Sequence, residues 1–396
     1  MTLLIDPPNA PGHGRLWSHL ASDASYDELH RFAQGLGIPR RGFDRDHYDI
    51  PAERYDSVLA AGAEPVTSRE LIERLRGAGL RRRKADVLAP RPPGRPLVRA
   101  SRLRRGDLVA VVAPSGPAPA DRLDAGLAVL RSWGLEVREG EHVRSTPSRL
   151  GYLAADDAAR AADLVSAWID PDVRAVVCAR GGYGTQRIVD DLDWPALAAA
   201  GPKVLVGFSD TTALHQAFAT RLGLSTVLGP VLTSLGDGDA ESREHLRRLL
   251  LEPAPGMQLT AGRPLVPGRA RGVLVGGTLA LVAADVGTRS SRPAADSVAV
   301  LEDVGEPAYR VDRLLTQLLR SGWLDGVRGI VLGGFTGPSE PDLDAVVVDR
   351  LAPLGVPVLA GAAFGHGPRN LALPLGVVAD LDAGAGTLVV RDAPLR

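Results

Sequence analysis

Three short segments place side chains that could do chemistry just after or inside apolar runs. Ser209 follows the run 204–208 and precedes a segment with helical spacing at 211–222. A serine on such a turn exposes its Oγ above a sheet, beside backbone N–H groups that can hold a developing oxyanion. Taken by itself the segment also fits a plain helix N-cap, because serine is a favoured capping residue.

Glu302 and His366 carry the other two segments. A carboxylate at the end of an apolar strand, as in 300–306, can orient a histidine and stabilise its imidazolium. His366 lies between two glycines after a strand, and it could act as a general base near pH 7. The plain alternatives are a solvated acidic loop and a loop histidine with no chemical role.

Composition limits the kind of protein. The chain has 396 residues, too many for one ordinary core, with 45% hydrophobic and 23% charged residues. Its net charge of -1 does not support a general attraction to nucleic acid or to an anionic membrane. Cys178 is the single cysteine, in an apolar run that predicts a buried thiol. With neither a signal peptide nor a membrane span in evidence, we expect a cytoplasmic protein.

Short apolar runs alternate with helical segments after residue 100, which predicts an α/β fold with parallel sheets covered on both faces. Ligands bind at the carboxyl ends of the strands in such sheets, where Ser209 and a glycine turn at 181–184 fall. The predicted strands are 108–113, 173–179, 204–208, 298–301, 329–332 and 356–359, with antiparallel strands near 377–381 and 387–390. The predicted helices are 121–133, 155–168, 186–192, 211–222, 308–319 and 343–351.

The predicted domain order has five parts. They are a small N-terminal domain at 1–84, a proline-rich linker at 85–99, a flavodoxin-like domain at 100–235 that carries Ser209, a connecting segment at 236–268, and a smaller α/β domain at 269–396. The linker rests on four prolines between residues 85 and 97, which fit neither helix nor sheet interior.

The order of these segments resembles the LD-carboxypeptidase family, which also includes microcin-immunity peptidases. The segments 204–214, 300–306 and 365–367 carry the likeness, together with 104–116, 152–156, 179–184 and 307–313. The likeness covers roughly residues 100–390. By contrast, the Gly-x-Ser-x-Thr spacing around Ser209 does not support the α/β-hydrolase fold, whose pattern is Gly-x-Ser-x-Gly.

The resemblance implies roles for individual residues. Ser209 would be the nucleophile, His366 the base and Glu302 the residue that orients it, with Glu306 as the competing glutamate. The backbone N–H groups of Asp210 and Gly182 would form the oxyanion hole.

The resemblance also implies a substrate and no cofactor or metal. The expected reaction cleaves an L-centre to D-residue amide bond and releases terminal D-alanine from a muropeptide tetrapeptide during cell-wall recycling. Arg180 and Arg310 could clamp a carboxylate bidentately, with Tyr183 beside them, although either arginine could equally form a surface ion pair. A small peptide is therefore the expected partner, without nucleic acid or membrane, and a homodimer is one possible assembly.

Two residues depart from the family pattern, and two rival functions stay open. Thr278 stands where the family often has Asn, and Leu228 stands where a polar residue often precedes Gly-Pro, so the substrate is less certain than the reaction. One rival substrate is a peptidyl-nucleotide toxin, as in microcin-immunity peptidases. The other rival is a non-catalytic binder that holds a ligand phosphate with Ser209 and the glycine turn.

The segment 1–84 resembles an uncharacterised actinobacterial domain. Half of the eight histidines fall here, alongside several aspartates, which suggests a metal or phosphate site. These residues are His13, His19, His30, His47, Asp23, Asp44, Asp46 and Asp49. The spacing matches no standard zinc motif, so structural histidines are the preferred interpretation. A basic run at 74–84 could contact a phosphate, but a solvated helix end is preferred.

Overall fold

The computed structural model describes residues 2–12, 14–39, 43–44, 46–78, 80, 93–145, 148–336 and 342–396. The chain divides into two compact units, 1–89 and 90–396. Within the described residues, every helix is too short or too polar to cross a bilayer.

The N-terminal unit is a small sheet with helices on it. Its strands are β1 (Leu3–Ile5), β2 (Ala10–Gly12), β3 (Arg15–Ser22), β4 (Phe43–Asp44), β5 (His47–Pro51) and β6 (Glu64–Pro65), and its helices are α1 (Tyr26–Gly35), α2 (Tyr55–Ala60) and α3 (Ser68–Gly77). The strand order is β4-β5-β3-β1-β6, with β2 paired to β3. Both longer helices start on side-chain caps, since Ser25 accepts from the Glu28 N–H and Thr67 from the Glu70 N–H.

The first sheet of the second unit has the order β18-β11-β10-β9-β7-β8. Its strands are β7 (Leu108–Val112), β8 (Glu136–Glu139), β9 (Val173–Cys178), β10 (Val204–Gly207), β11 (Thr226–Leu228) and β18 (Leu373–Leu375), and the associated helices are α4 (Ala120–Ser132), α5 (Asp157–Ile169), α6 (Thr185–Ile188), α7 (Trp194–Ala199), α8 (Thr212–Ala217) and α9 (Ala240–Leu251). All pairs are parallel except β11–β18. The buried faces are built from Val, Leu and Ala, as expected for a sheet covered on both sides.

The second sheet has eight strands in the order β12-β20-β19-β14-β15-β16-β17-β13. Its strands are β12 (Gln258–Ala261), β13 (Arg263–Val266), β14 (Arg269–Thr278), β15 (Ser297–Val304), β16 (Gly329–Thr336), β17 (Val358–Ala360), β19 (Val378–Asp382) and β20 (Thr387–Val390), and its helices are α10 (Leu279–Asp285), α11 (Ala308–Arg320) and α12 (Leu343–Leu351). The centre, β14 to β17, is parallel, and the outer pairs are antiparallel.

The predicted α/β class with parallel sheets and a separate N-terminal domain is confirmed. Each predicted strand and helix has a counterpart, with ends shifted by a few residues. β8 was missed because it is a charged edge strand, and β11 because it has three residues. The helix predicted at 186–192 is shorter in the structure. The helix α6 ends at Ile188, and a 3₁₀ turn at Val189–Asp191 follows it.

The predicted domain boundaries stay predictions. The structure shows which helices and strands lie on either side of them. The predicted connecting segment holds α9, whose Leu246 and Leu249 are buried in the core of the first sheet. It also holds β12 and β13, which extend the second sheet. In the other direction, β18 lies within 269–396 in sequence and pairs with β11 of the first sheet.

The predicted linker 85–99 is only partly described, because residues 85–92 lie outside the described residues. Its remainder packs on the second unit. Leu97 is buried and its N–H donates to the Gly376 carbonyl at 2.8 Å, while Val98 forms a bridge to Leu224. His13 and the basic residues 81–84 also lie outside the described residues.

Candidate active site

Ser209 occupies a strained turn between strand and helix. β10 ends at Gly207, and Ser209 begins a 3₁₀ turn that leads into α8. Its φ of 63° lies in the left-handed region, which costs a non-glycine residue about 1–2 kcal/mol. Strain of this kind persists only where the surroundings impose it, and it turns the Ser209 side chain out of the strand.

His215 holds the turn from behind. Its Nε2 donates to the Gly207 carbonyl at 3.0 Å, and its Nδ1 accepts from Thr226 Oγ1 at 2.9 Å. The Gly229 N–H donates to the same Gly207 carbonyl at 3.0 Å. Burial lowers the pKa of His215 to about 4, so the ring is neutral at pH 7 and keeps this pattern. The sequence analysis did not single out His215, because nothing in a single helical histidine shows which carbonyl it reaches.

The structure brings Ser209, His366 and Glu302 into one hydrogen-bonded line. Ser209 Oγ lies 3.1 Å from His366 Nε2, and His366 Nδ1 lies 2.7 Å from Glu302 Oε2. A carboxylate only accepts, so Nδ1 carries the hydrogen and Nε2 of the neutral ring is free to accept from the serine hydroxyl. The Phe208 ring lies 4.6 Å from the imidazole, centre to centre, and limits its movement.

Glu302 is fully buried and well supplied with donors. Thr278 Oγ1 donates to its Oε1 at 2.5 Å, and the backbone N–H of His366 donates to its Oε2 at 3.1 Å. These bonds offset the desolvation of a buried carboxylate. Thr278 is in turn tied to α8, because its N–H donates to Thr212 Oγ1 at 3.1 Å.

Known proteins resemble most of the second unit of this chain. Models of the LD-carboxypeptidase N-terminal and C-terminal domains match residues 109–229 and 271–381. A protein of Streptomyces coelicolor that is named as a carboxypeptidase is 56% identical to this chain, over 75% of this chain and 97% of its own length. The chain belongs to the LD-carboxypeptidase family.

Further relatives carry more specific names. The murein tetrapeptide carboxypeptidase of Pseudomonas aeruginosa is 37% identical over 69% of this chain and 92% of its own. The solved muramoyltetrapeptide carboxypeptidase of Oxalobacter formigenes is 32% identical with a TM-score of 0.64, covering 72% of this chain and 99% of its own. The microcin C7 self-immunity protein MccF, at 22% identity, a TM-score of 0.68 and coverage of 75% and 99%, shares the fold. Residues 3–78 match a domain of unknown function.

Both residues that depart from the family pattern, Thr278 and Leu228, are buried. Thr278 lies behind Glu302, as a hydrogen-bond donor to it, and is 3% exposed. Leu228 is 1% exposed in β11, opposite Leu373. Neither side chain therefore offers much exposed surface for a substrate to contact.

The competing glutamate is engaged elsewhere. Glu306 forms an ion pair of 2.7 Å with Arg310 on the first turn of α11, while Glu302 is the glutamate at His366. Arg310, which was predicted to clamp a carboxylate of the substrate, is half exposed and is already paired with Glu306. This is the surface ion pair that the sequence left open as its alternative.

The glycine turn lies against the serine. A Cβ on Gly181 would come 2.9 Å from Ser209 Cβ, so only glycine fits there. Gly182 has a φ of 113°. The buried Asp210 carboxylate accepts from the Thr185 N–H at 2.8 Å and fixes the turn beside Ser209. The two predicted oxyanion donors, the N–H groups of Asp210 and Gly182, therefore lie on segments that meet at Ser209.

A buried arginine joins the loops around this turn. Arg160 is 1% exposed and donates to the carbonyls of Pro114, Ala155 and Gly184. On the outer side, Tyr183 forms an edge-on pair with Tyr152 at 5.9 Å, and both rings are about half exposed. Arg180, the other predicted clamp, is exposed and donates to the Pro117 carbonyl at 2.8 Å.

Two buried aspartates of the second unit were not singled out by the sequence analysis. Asp303, next to Glu302, accepts from the N–H groups of Ala280 and Val304, both at 2.8 Å. Asp285, at the end of α10, accepts from Gln186 Nε2 at 3.1 Å. Burial raises the pKa of each carboxyl to about 6. Cys178 is buried as expected, and its thiol pKa is raised to about 12 by burial.

Proposed function

We propose that this chain is a serine LD-carboxypeptidase that removes the terminal D-alanine from muropeptide tetrapeptides. The observation that carries the proposal is the line Ser209–His366–Glu302, with 3.1 Å and 2.7 Å between successive side chains. Family membership already supports a peptidase. Ser209 is proposed as nucleophile, His366 as base and Glu302 as the residue that orients it.

The proposed reaction has two halves. As Ser209 Oγ attacks the amide carbonyl, its proton moves to His366 Nε2, and the Gly182 and Asp210 N–H groups stabilise the oxyanion. The C–N bond then breaks, and the leaving amine takes the proton from Nε2. Water next attacks the acyl-enzyme and gives one proton to Nε2, which returns it to Ser209 Oγ.

The substrate class rests on the murein-directed names of relatives at 37% and 32% identity. A terminal carboxylate suits the exposed arginines at the site edge, and Arg180 is better placed than Arg310 because its turn abuts Ser209. Release of D-alanine from a tetrapeptide fits recycling of wall fragments, which we propose takes place in the cytoplasm.

Two alternative functions have weaker support. A solved MccF structure holds aspartyl sulfamoyl adenosine, so a peptidyl-nucleotide is the alternative substrate. That likeness is at 22% identity, against 37% and 32% for the murein-directed relatives. A non-catalytic binder would have no need for a histidine and a glutamate aligned on Ser209.

The decisive experiment incubates the purified chain with a muropeptide tetrapeptide and follows loss of one alanine by mass spectrometry. A peptide with terminal L-alanine tests the stereochemistry, and an aspartyl sulfamoyl adenosine arm tests the alternative. Ser209→Ala is expected to lower kcat by about 10⁴-fold or more with an unchanged circular dichroism spectrum. Ser132→Ala, on the exposed side of α4, is the matched control. Near-native turnover by Ser209→Ala would overturn the proposal.

A further inference from the structure

A row of polar side chains crosses the centre of the N-terminal sheet. His19 of β3 lies directly opposite Asp49 of β5, and Asp6 follows β1 on the other side of β3. The Asp6 N–H donates to the His19 carbonyl at 3.2 Å, which continues the β1–β3 ladder by one residue. His47 is two residues before Asp49 in β5, so both project from the same face of the sheet.

Each histidine of this row has a buried carboxylate at its Nδ1. His19 Nδ1 lies 2.9 Å from Asp6 Oδ2, and His47 Nδ1 lies 2.7 Å from Asp46 Oδ1. Asp6 is 1% exposed and Asp46 is fully buried. A carboxylate at Nδ1 fixes the tautomer and leaves Nε2 as the basic nitrogen, the arrangement that metal-ligating histidines show.

The remaining atoms converge. His47 Nε2 lies 3.3 Å from Asp49 Oδ1, and the two imidazole rings meet edge-on with centres 4.8 Å apart. One candidate ligand atom from each of His19, His47 and Asp49 lies within 4.8 Å of the others. We propose that these three residues bind a divalent transition-metal ion such as Zn²⁺, with Asp6 and Asp46 orienting the two histidines.

The chemistry of the cluster selects a cation over a phosphate. Two imidazoles and one carboxylate are ligands that suit Zn²⁺ and its neighbours. Three carboxylates in and around the cluster would repel a phosphate but stabilise a divalent ion. The site is also open on one side, because the Asp49 side chain is 47% exposed and that of His19 is 30% exposed. Three protein ligands leave a coordination position for water or a substrate.

This proposal revises the preference for structural histidines drawn from the sequence. The spacing of the four histidines in the sequence is unfamiliar. The reason is that the proposed ligands come from two strands, β3 and β5, that become neighbours only in the folded chain. His142 is a useful contrast. It has the same Nδ1–carboxylate bond, to Asp163 at 2.8 Å, and the same side-chain exposure, 31%, but it is not part of any ligand cluster among the described residues.

The test uses the full-length chain, stripped of metal with a chelator and then titrated with Zn²⁺ by calorimetry. We expect saturation at one equivalent, loss of that equivalent in Asp49→Asn and His47→Ala, and about 10- to 100-fold weaker binding in Asp6→Asn. His142→Ala should bind like wild type. Circular dichroism checks that each variant is folded, and Asp49→Asn changes a half-exposed side chain.

A second measurement needs no variant. Diethyl pyrocarbonate modifies accessible imidazoles, and Zn²⁺ should slow its reaction at His19 while leaving His142 unchanged, as read by peptide mass mapping. Wild-type protein that shows no saturable Zn²⁺ binding would overturn the proposal. So would undiminished one-to-one binding in both ligand variants, or equal reactivity of His19 with and without Zn²⁺.

Discussion

One oxygen of Glu302 accepts two hydrogen bonds from His366. Its Oε2 lies 2.7 Å from the ring Nδ1 and 3.1 Å from the backbone nitrogen of the same histidine. The carboxylate therefore fixes the ring tautomer and the path of the loop together. Gly365 makes this possible, because a Cβ there would come 2.8 Å from the same oxygen.

Replacing Glu302 should separate the two glutamates of the 300–306 segment. Glu302→Gln puts an amide where the carboxylate holds Nδ1–H, so the ring is no longer held in the productive tautomer, and we expect kcat to fall by about 10³- to 10⁴-fold. Glu306→Gln breaks only the Arg310 ion pair and should change kcat by less than about tenfold. Steady-state kinetics on a D-alanine-terminated peptide measures both. A larger loss for Glu306→Gln would reverse the assignment.

Thr278 should act as a positioning residue through Glu302. Thr278→Val removes the 2.5 Å donor to a buried carboxylate, which costs about 1–3 kcal/mol. We expect kcat/KM to fall about 10- to 100-fold, with the loss mainly in kcat and a shifted pH profile. Thr278→Ser keeps a hydroxyl and should restore most of the activity. Equal activity of the Val and Ser variants would contradict this role.

The buried Asp285 predicts a specific pH dependence of stability. Its pKa is raised by burial from 3.8 to about 6, so the folded state binds the proton more tightly than the unfolded state. The stabilisation is full below about pH 4 and is lost as the pH rises through 6, by up to about 3 kcal/mol. Asp285→Asn removes the titrating group and should therefore be more stable than wild type at pH 8 by about 1–3 kcal/mol. Denaturant unfolding at pH 4.5 and pH 8 checks this, and an advantage equal at both would contradict it.

Asp303 has the same direction of pKa shift but different bonding. Both of its carboxylate oxygens accept backbone N–H groups, so Asp303→Asn turns an amide NH₂ toward a donor. We expect the free energy of unfolding of the Asp303→Asn variant to be about 1–3 kcal/mol lower than that of the Asp285→Asn variant at both pH values. The same unfolding measurements on both variants make the comparison. Equal stability of the two would show that the backbone donors do not depend on the carboxylate.

The N-terminal unit should be dispensable for peptide hydrolysis. Residues 93–396 keep the whole second unit that the structure describes, and we expect kcat/KM within about threefold of the full chain. Residues 100–396 lack Leu97 and Val98, which pack on that unit, and should lose about 2–3 kcal/mol of stability. A kcat/KM more than about tenfold lower (about 1.4 kcal/mol) for 93–396 would place the N-terminal unit in the catalytic machinery.

Chelation should affect the two units differently. The proposed mechanism takes its nucleophile and base from Ser209 and His366, so exhaustive chelator treatment of the full chain should leave the hydrolysis rate within about twofold. The same treatment should free His19 for chemical modification. Hydrolysis that stops on chelation and returns with Zn²⁺ in residues 93–396 would require another mechanism.

Sequence reasoning reached furthest where the chain alternates clearly. The apolar runs that become β7, β9, β10, β15 and β16 are bounded by glycines and helical segments, so their type and position follow from local pattern. Ser209 and Glu302 were singled out because each follows such a run, and His366 because it lies between two glycines. The family resemblance then connected the three.

The parts that sequence missed depend on partners distant in the chain. Thr278 looks like an ordinary residue before α10, and only the register of β14 on β15, which pairs it with Glu302, gives it a role. His215 and the Gly207 carbonyl meet only once the helix packs behind the strand. In the N-terminal unit the strands are short and the ligand-bearing residues face each other across pairs that no local pattern predicts.

The strand β18 makes the first sheet depend on a segment far along the chain. Leu373–Leu375 pairs with β11, about 145 positions later in sequence than Thr226–Leu228 and only seven after His366. During synthesis on the ribosome, the sheet beneath Ser209 thus keeps an unpaired edge until the base has also been made. Nucleophile and base consequently mature together, and a nascent chain that stops before His366 carries a serine turn with neither its base nor a completed sheet.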